Sequence, residues 1–420
     1  MPGLRYLPLR YRLPLIHGGL NLLARGRCGS WTKAGAVAPK PGPLVVSGFL
    51  RETLGIGRAG RMTARALKAA GFSPIEHDLR PAFKHLVFQG AKLPGDGGVW
   101  LIHANAPECL VAFMAHAPQT WAHRYRIGYW AWETPKAPAD WVWLADYLHE
   151  IWLPSRFVHD AMVKAFRQAG RDDLSSRLRV MPHPAPHPVA IPYHDAQQKF
   201  GLDPDLCEVL CLFDTKSGAV RKNPWSVLEA WREAFPLPAA HARLTLKVSD
   251  MSGDRDSEQR LTNAVAIRPD IRVITQRLSD ADMDGLIAAS DVLISLHRSE
   301  GFGLTLAEAM ASGVGVIATG WSGNIDFMND NNSRLIPVRT IPIRDPDGPY
   351  CIVVRDSDQV WAEPDVSAAA EALRALTTDE VLRRHLIAAA QRDVRKLDAP
   401  WQSEVLKTMA LNLYLGAGNP

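Results

Sequence analysis

The sequence predicts an α/β protein built from two Rossmann-like domains, each a mainly parallel sheet covered by helices. Short apolar segments bounded by turn residues alternate with segments of helical periodicity, and this alternation stops and restarts once. The length of 420 residues suits two domains, and a hydrophobic content of 47% suits a large core. No apolar run reaches the roughly 18 to 20 residues that a spanning helix needs, so we expect no transmembrane segment.

The domain boundaries follow from where the alternation stops. We predict a basic N-terminal extension over 1–40, a first Rossmann-like domain over 41–181 and a second over 194–397. The segment 182–193 is rich in proline, which ends helices and inner strands, and is predicted to be a linker. The remaining segment, 398–420, is predicted to hold a separate helix and a tail.

The first domain begins with a predicted strand over 44–48, followed by a loop that contains glycine. A helix comes next, because apolar residues from Ala59 to Ala69 recur at helical spacing. Further short hydrophobic strands, separated by helical segments as a parallel sheet requires, are predicted at 99–103, 126–130 and 150–153.

The second domain repeats this alternation. Its strands are predicted at 208–213, 244–249, 271–275, 292–296 and 314–318. The C-terminal part is helical by pattern, with predicted helices over 366–376, 378–396 and 401–413.

The segment that indicates function most directly runs from Glu300 to Glu308 and reads Glu-Gly-Phe-Gly-Leu-Thr-Leu-Ala-Glu. Gly301 and Gly303 allow backbone N–H groups to approach a ligand closely. The helix that begins near Gly303 directs the positive end of its dipole at the same place, which suits a phosphate. The second glutamate can accept hydrogen bonds from a sugar diol. Together these features predict a pocket for a nucleotide sugar.

This segment resembles the signature of the retaining glycosyltransferases of family 4, two glutamates separated by seven residues with Gly-Phe-Gly-Leu between them. The resemblance implies the GT-B fold, in which two Rossmann-like domains face each other across a cleft and the last helix crosses back to the first domain. It also implies that Glu300 lies beside the donor sugar and that Glu308 holds the ribose. Phe302 and Leu304 complete the predicted donor-binding loop with the two glycines.

A basic segment, Lys216-Ser-Gly-Ala-Val-Arg-Lys222-Asn-Pro, follows the first strand of the second domain. Strand ends form the ligand crevice of an open parallel sheet, so these cations are predicted to hold a diphosphate and to stabilise the charge that develops as the sugar leaves. The family places a basic residue and a lysine six positions apart, which the resemblance assigns to Lys216 and Lys222. Arg221 is either a further donor contact or simply solvated. With these cations we expect no metal and no other cofactor.

In the first domain, Leu101-Ile-His103-Ala-Asn105 ends a strand, where a catalytic group that faces the acceptor should project. Many family members carry His-x-His here, with the second histidine in the active site, whereas this chain has Asn105. Two interpretations stay open. Either Asn105 binds hydroxyl groups as an amide, or His103 has taken over part of the role; a histidine that only fills the core is the alternative to both.

A competing interpretation rests on Gly55-Ile-Gly57-Arg-Ala-Gly60, which spells GxGxxG, with Glu76 and Asp78 at about the distance of a ribose-binding acid. This pattern would indicate an NAD-type oxidoreductase. However, six residues separate these glycines from the preceding strand, and an oxidoreductase leaves the two glutamates of the family signature unexplained. We therefore predict that Gly55 and Gly57 belong to a loop over the donor phosphates.

The N-terminal 40 residues contain seven basic residues and no Asp or Glu, so the remainder of this chain of net charge +4 carries a net charge of −3. The extension could lie on an anionic membrane, where each Lys or Arg contributes about 1 kcal/mol, or pack on the first domain as a partly ordered arm. The five cysteines are scattered and lack zinc-site spacing, which indicates reduced thiols. We predict a cytoplasmic location, free or peripheral on the inner face of the membrane.

The function predicted from these features is transfer of a mannose- or glucose-type hexose from a nucleoside diphosphate, such as GDP-mannose or UDP-glucose, with retention at the anomeric carbon. The predicted partners are the nucleotide sugar donor and a glycan or lipid-linked acceptor, as in bacterial surface polysaccharide assembly. We expect no nucleic-acid partner. A protein that binds sugar nucleotides without turnover stays an alternative because of Asn105.

Overall fold

The structure is a computed structural model that describes residues 7–52, 55–81, 90–188, 191–215, 218–248, 255–353 and 359–416. It divides into two compact units, the first formed by Met1–Pro184 with Leu397–Pro420 and the second by Ala185–Lys396. The boundary between Pro184 and Ala185 lies within the predicted linker, 182–193. The boundary between Lys396 and Leu397 lies next to the predicted boundary at 397.

In the first unit, six parallel strands form one sheet in the order β2-β1-β3-β4-β5-β6. The strands are β1 (Leu44–Gly48), β2 (Ile75–Asp78), β3 (Val99–His103), β4 (Tyr125–Tyr129), β5 (Glu150–Leu153) and β6 (Leu178–Val180). The α-helices are α1 (Leu9–Arg27), α2 (Gly55–Ala69), α3 (Ala106–Ala115) and α4 (Arg156–Gln168). The 3-10 helices are Cys28–Ser30, Pro118–Thr120, Ala139–Tyr147 and Asp172–Arg177.

In the second unit, six parallel strands form a sheet in the order β12-β11-β10-β7-β8-β9. The strands are β7 (Cys207–Phe213), β8 (Ala242–Val248), β9 (Ile271–Ile274), β10 (Val292–Ser295), β11 (Gly315–Thr319) and β12 (Arg334–Ile336). The antiparallel strands β13 (Val338–Pro342) and β14 (Val360–Pro364) pair in a separate hairpin.

Helices precede, separate and follow the strands of the second unit. They are α5 (Tyr193–Phe200), α6 (Ala219–Lys222), α7 (Pro224–Ala234), α8 (Arg255–Ile267), α9 (Asp280–Ala288), α10 (Leu304–Ala311), α11 (Val366–Thr378) and α12 (Glu380–Val394), with a 3-10 helix at Gly323–Asp326. The core is formed by apolar side chains of the sheet together with those of α7 and α11.

The predicted fold class, two Rossmann-like units with parallel sheets, is confirmed. The strands predicted at 44–48, 99–103 and 150–153 have the predicted bounds, and the others differ by one or two residues. The hydrophobic pattern does not predict β2, β6, β12 or the hairpin. Each of those three edge strands has only three or four residues, so it lacks a long apolar run.

The chain returns to the first unit at Leu397 and completes its core. The prediction of one helix over 401–413 is wrong, because α13 (Ser403–Thr408) is short and lies between 3-10 helices at Arg395–Trp401 and Ala410–Tyr414. The Trp401 indole donates to the Pro182 carbonyl over 2.8 Å and packs edge-on against Trp152 at 5.9 Å between ring centroids.

The five cysteines are all free thiols, as the scattered spacing predicts. Within the described ranges, we find no helix with the length and apolar character needed to cross a bilayer.

We expect Trp401→Ala to lower the free energy of unfolding of the first unit by about 3 to 5 kcal/mol, because the ring is buried against Trp152 and a cavity would remain. Urea titration followed by circular dichroism measures this change. Leu413→Ala is the control: that side chain is 73% exposed, so its loss should change stability by less than about 0.5 kcal/mol. Equal effects of the two substitutions would contradict a structural role for the returning segment.

Candidate active site

The strand order of the second unit reverses between β7 and β10, and such a switch point leaves a crevice at the carboxyl ends of the two strands. Two basic residues, Arg221 and Lys222, end α6 at this point, and we call these residues with the turn at Asn223 the basic turn. Asn223 has φ 52° and ψ 49°, a left-handed conformation that asparagine tolerates, and it precedes Pro224 at the start of α7. Its Nδ2 donates to the Leu296 carbonyl over 3.0 Å. The turn is therefore tied to the segment after β10.

Arg221 and Lys222 both donate to one oxygen of Glu300. The distances to Glu300 Oε1 are 3.0 Å from Arg221 Nη1 and 2.5 Å from Lys222 Nζ. Arg221 also donates to the Ser299 carbonyl over 2.7 Å and is 4% exposed, so the predicted alternative of a solvated side chain is wrong. Two cations thus surround one carboxylate, and the cluster keeps an excess of positive charge.

The ionisation of Glu300 follows from these neighbours. Burial alone would raise the pKa of its carboxyl group, but the adjacent charges of Lys222 and Arg221 outweigh burial and lower the pKa to about 2. Glu300 is therefore a carboxylate at neutral pH and accepts hydrogen bonds. It cannot serve there as a proton donor.

The loop after β11 holds Glu300 through its backbone. Ser322 Oγ accepts from the Glu300 amide over 2.9 Å, and the Gly323 amide donates to the Glu300 carbonyl over 2.9 Å. A Cβ atom at Gly323 would lie 2.2 Å from the Gly301 carbonyl oxygen, so the two loops touch only because position 323 is glycine. Ser322 itself has φ 79° and ψ −149°, a region that glycine normally occupies.

The glycine-rich segment forms the start of α10. Gly303 precedes the helix with φ 96°, and the first N–H groups of a helix have no partner within it. Phe302 anchors the loop, since it is 4% exposed and packs on Phe327 at 5.0 Å between ring centroids. Leu304 begins the helix, as predicted from its pattern.

One pocket at the switch point brings these groups together. Its lining residues are Leu212, Lys222, Leu293, Ser295, Glu300, Gly303, Thr305 and Leu306. Glu308 lies in α10, one turn after Leu304, and is 4% exposed. Among the described residues it does not line this pocket, so its role at the ribose stays a prediction.

Beneath the pocket, His297 forms a neutral link between β10 and the loop after β11. Asn324 Nδ2 donates to the Thr319 carbonyl over 2.9 Å, which turns Oδ1 towards His297 Nε2 at 3.2 Å. Nε2 must then carry the proton, and Nδ1 accepts from Ser295 Oγ at 3.1 Å. Burial lowers the pKa of His297 to about 4, consistent with a neutral ring.

The hairpin of β13 and β14 supports the basic turn, a feature that sequence reasoning missed. Glu363 on β14 accepts from Arg298 through both carboxylate oxygens, at 2.9 and 3.1 Å. Arg298 in turn donates to the Val220 carbonyl over 2.8 Å. In the connection between the two strands, the Tyr350 ring lies 5.8 Å from the Arg221 guanidinium. The sequence does not identify this pair, because the hairpin itself is not predicted and the two residues are 65 positions apart.

In the first unit, His103 ends β3 beside the switch point between β1 and β3. Its ring stacks on Tyr129 at 4.3 Å, and the His183 ring lies 5.2 Å from Tyr129 and 5.8 Å from His103 between ring centroids. Burial lowers the pKa of His103 to about 4, so the ring is neutral. Neither ring nitrogen makes a hydrogen bond to any residue that the structure describes.

Asn105 precedes α3, and its Oδ1 accepts from the Ala131 amide over 2.7 Å. The side chain is partly exposed, and Nδ2 makes no hydrogen bond to any of the described residues. The structure therefore places an amide donor at the end of β3. Nearby, the Trp132 side chain is 7% exposed, and its Nε1 donates to Thr134 Oγ1 and to the Lys136 carbonyl.

The glycines of the GxGxxG segment have a packing role. A Cβ atom at Gly57 would lie 2.5 Å from the Glu52 carbonyl oxygen, and one at Gly60 would lie 3.0 Å from Leu50 Cδ2. Gly55 begins α2 and has open space beside it. Any contact of Gly55 or Gly57 with donor phosphates stays a prediction, and Lys216 lies outside the described residues.

The comparisons with known proteins agree with this arrangement. Residues 220–340, which include the basic turn, both glutamates and the glycine-rich loop, match the family described as glycosyl transferases group 1. No curated protein matches the chain.

Three solved structures have similar folds. A glycosyltransferase from Rickettsia africae ESF-5 is 15% identical with a TM-score of 0.60, over 89% of this chain and 98% of that one. A sucrose-phosphate synthase from Thermosynechococcus elongatus is 15% identical with a TM-score of 0.59, over 89% and 98%. HepE from Anabaena, in complex with UDP and glucose, is 12% identical with a TM-score of 0.58, over 88% and 100%.

The two parallel sheets give the chain a fold similar to that of solved GT-B glycosyltransferases, and residues 220–340 match a glycosyl transferases group 1 domain. These similarities indicate a glycosyltransferase. The NAD-type oxidoreductase predicted as an alternative has no counterpart in these matches, and its proposed ribose acid Glu76 is paired with Lys68 at 2.6 Å.

The lowered pKa of Glu300 predicts a pH-dependent contribution to stability. Because the folded value of about 2 lies below the ordinary value of 4.5, the carboxylate stabilises the folded state by about 3 kcal/mol at neutral pH. This contribution is complete above about pH 5 and is lost as the pH falls towards 2. We expect Glu300→Gln to lower the free energy of unfolding, with the difference from wild type about 1 kcal/mol smaller at pH 4 than at pH 7.

Denaturant titrations at the two pH values measure this difference. Glu380→Gln is the matched control, because that carboxylate is 62% exposed and pairs only with exposed Arg384, and it should change stability by less than about 0.5 kcal/mol. A Glu300→Gln effect that stays constant between pH 4 and pH 7 would show that the carboxylate is not held ionised by its neighbours.

The conformation of Ser322 predicts an unusual order of stabilities. Ser322→Ala loses the hydrogen bond to the Glu300 amide and keeps the strained backbone, whereas Ser322→Gly loses the same bond but removes strain of about 1 to 3 kcal/mol. We therefore expect the glycine variant to be the more stable of the two by about that amount in thermal unfolding. An alanine variant as stable as the glycine variant would mean that the backbone at position 322 is unstrained.

Proposed function

We propose that the protein is a retaining glycosyltransferase that moves a hexose from a nucleoside diphosphate to a hydroxyl group of a glycan or glycolipid. The observation that supports this most directly is the cluster of Arg221, Lys222 and Glu300 beside one pocket at the switch point of the second unit. A carboxylate that accepts hydrogen bonds suits sugar hydroxyls, and the two cations suit the adjoining phosphates.

The charge of the cluster supports a diphosphate as the ligand. Two cations face one carboxylate, and the partly positive start of α10 adds to the imbalance. In the proposed bound state, Lys222 turns from Glu300 to a phosphate oxygen, which leaves Glu300 available to the sugar. These groups neutralise the leaving phosphate without a divalent ion, so the proposed reaction is independent of metal.

The proposed reaction is a front-face displacement. The acceptor oxygen forms a bond to the anomeric carbon on the side from which the phosphate leaves, so the configuration is retained. The bond between the anomeric carbon and the phosphate oxygen breaks, and this oxygen receives the proton of the acceptor hydroxyl. Fixed cations at the phosphate stabilise the transition state more than the bound donor, because negative charge on the phosphate increases as the bond breaks.

For the first unit, we propose that Asn105 binds hydroxyl groups of the substrates. Its Oδ1 is engaged by Ala131, so Nδ2 is the group that it can offer. An amide cannot remove a proton at neutral pH, which is consistent with a mechanism in which the leaving phosphate does so. His103 is neutral and buried in its ring stack, and we propose that it supports the end of β3.

The test is a panel of UDP- and GDP-sugars, with release of the nucleoside diphosphate as the measurement. HepE, which holds UDP and glucose, makes UDP-glucose the first donor to test, and GDP-mannose represents the alternative base and sugar. NMR of the product then gives its anomeric configuration, and turnover in excess EDTA gives the metal dependence. Donor binding without turnover with any acceptor would identify a sugar-nucleotide-binding protein instead.

We expect Lys222→Ala to lower kcat for donor hydrolysis by about a hundredfold or more, since it removes one of the cations that stabilise the departing phosphate. The circular dichroism spectrum should be unchanged because Arg221 remains beside Glu300. Lys396→Ala is the matched control: this lysine is 77% exposed and should leave kcat as in wild type. A near-normal rate for Lys222→Ala would remove this lysine from the site.

A further inference from the structure

The N-terminal helix α1 is fixed to the first unit by one side. Asn21 lies at the centre of the contact: its Nδ2 donates to Asp140 Oδ2 over 3.0 Å, and its Oδ1 accepts from Trp143 Nε1 over 2.8 Å. Ala24 is fully buried, and the Arg25 guanidinium lies 5.5 Å from the Trp143 ring. The helix is therefore held on the unit by specific polar contacts, and its opposite side keeps a fixed orientation.

That opposite side is apolar and faces solvent. Tyr11, Leu15 and Leu22 lie within about 40° of one another around the helix, at exposures of 54%, 58% and 74%. Ile16 and Leu23 are exposed roughly 100° further around the helix, and Leu7 is exposed just before it. These six side chains, which we call the α1 apolar face, are nearly half of the fourteen exposed large hydrophobic residues among those the structure describes. Exposed apolar patches of this kind mark interaction surfaces.

The charge around the α1 apolar face has one sign. Arg10 and Arg12 lie near the start of the helix, and Arg25 and Arg27 lie in its last turn. No acidic residue occurs in the first 40 positions, whereas the rest of the chain has a net negative charge. A partner of this surface must accept apolar side chains and carry negative charge.

We propose that α1 docks the protein on an anionic lipid bilayer, with the helix parallel to the surface and the α1 apolar face among the acyl chains. A helix with leucines on one side and arginines beside them matches the interface of headgroups and acyl chains. A second copy of this chain fits less well, because two like-charged surfaces would then face each other. This inference does not rest on the proposed function, since docking requires neither donor nor turnover.

Co-sedimentation of the full chain with vesicles tests the proposal. We expect binding to vesicles of phosphatidylcholine mixed with phosphatidylglycerol, weaker binding to phosphatidylcholine alone, and loss of binding at high salt. The double substitution Leu15→Glu with Leu22→Glu should weaken binding about tenfold or more, because both side chains leave water only in the docked state. Arg10→Gln with Arg12→Gln should reduce the preference for phosphatidylglycerol.

The matched control is Leu237→Glu with Val381→Glu, since these two side chains of the second unit are 80% and 76% exposed. This variant should bind as wild type does, and the thermal unfolding of both glutamate variants should match that of wild type. Equal binding by the Leu15 and Leu22 variant and by wild type would overturn the proposal, as would wild-type binding that ignores phosphatidylglycerol. A dimer in analytical ultracentrifugation that the same variant dissociates would assign the surface to a second copy and also overturn it.

Discussion

The candidate site depends on the ion cluster of Glu300 with Arg221 and Lys222. A carboxylate with little access to water needs opposite charge beside it, and two cations so close together need a negative charge between them. Each side therefore fixes the other before any substrate binds. Two supporting contacts reach the backbone of this cluster: Ser322 Oγ accepts from the Glu300 amide, and the Arg298 amide donates to the Arg221 carbonyl over 2.7 Å.

The two units share one architecture but present different chemistry where their strand order reverses. The second unit has charged groups at that point, whereas the first has a neutral histidine and an amide at the end of β3. Charged groups suit the phosphates of a donor, and neutral hydrogen-bonding groups suit hydroxyls. The same topology therefore presents two different chemical environments within one chain, because function resides in the side chains that the strand ends present.

Sequence alone could predict the architecture and the main members of the site, because these follow from local patterns. Strand bounds follow from short apolar runs, and the pocket groups follow from glycines and charges at fixed spacing around Glu300. Long-range partners could not be predicted in this way. Arg298 and Glu363 are 65 residues apart, and nothing in the basic turn itself indicates that Arg221 is buried. The backbone of Ser322 is set by the loop that it touches, so no local propensity indicates it.

The return of the chain to the first unit has a consequence for biosynthesis. Trp401, Leu406, Met409 and Leu411 belong to the same core as the strands that begin at Leu44. During translation, every residue of the second unit leaves the ribosome before that core can close. The half of the protein that is made first is thus the last to finish folding, and until termination its unfilled apolar surface must be shielded from aggregation.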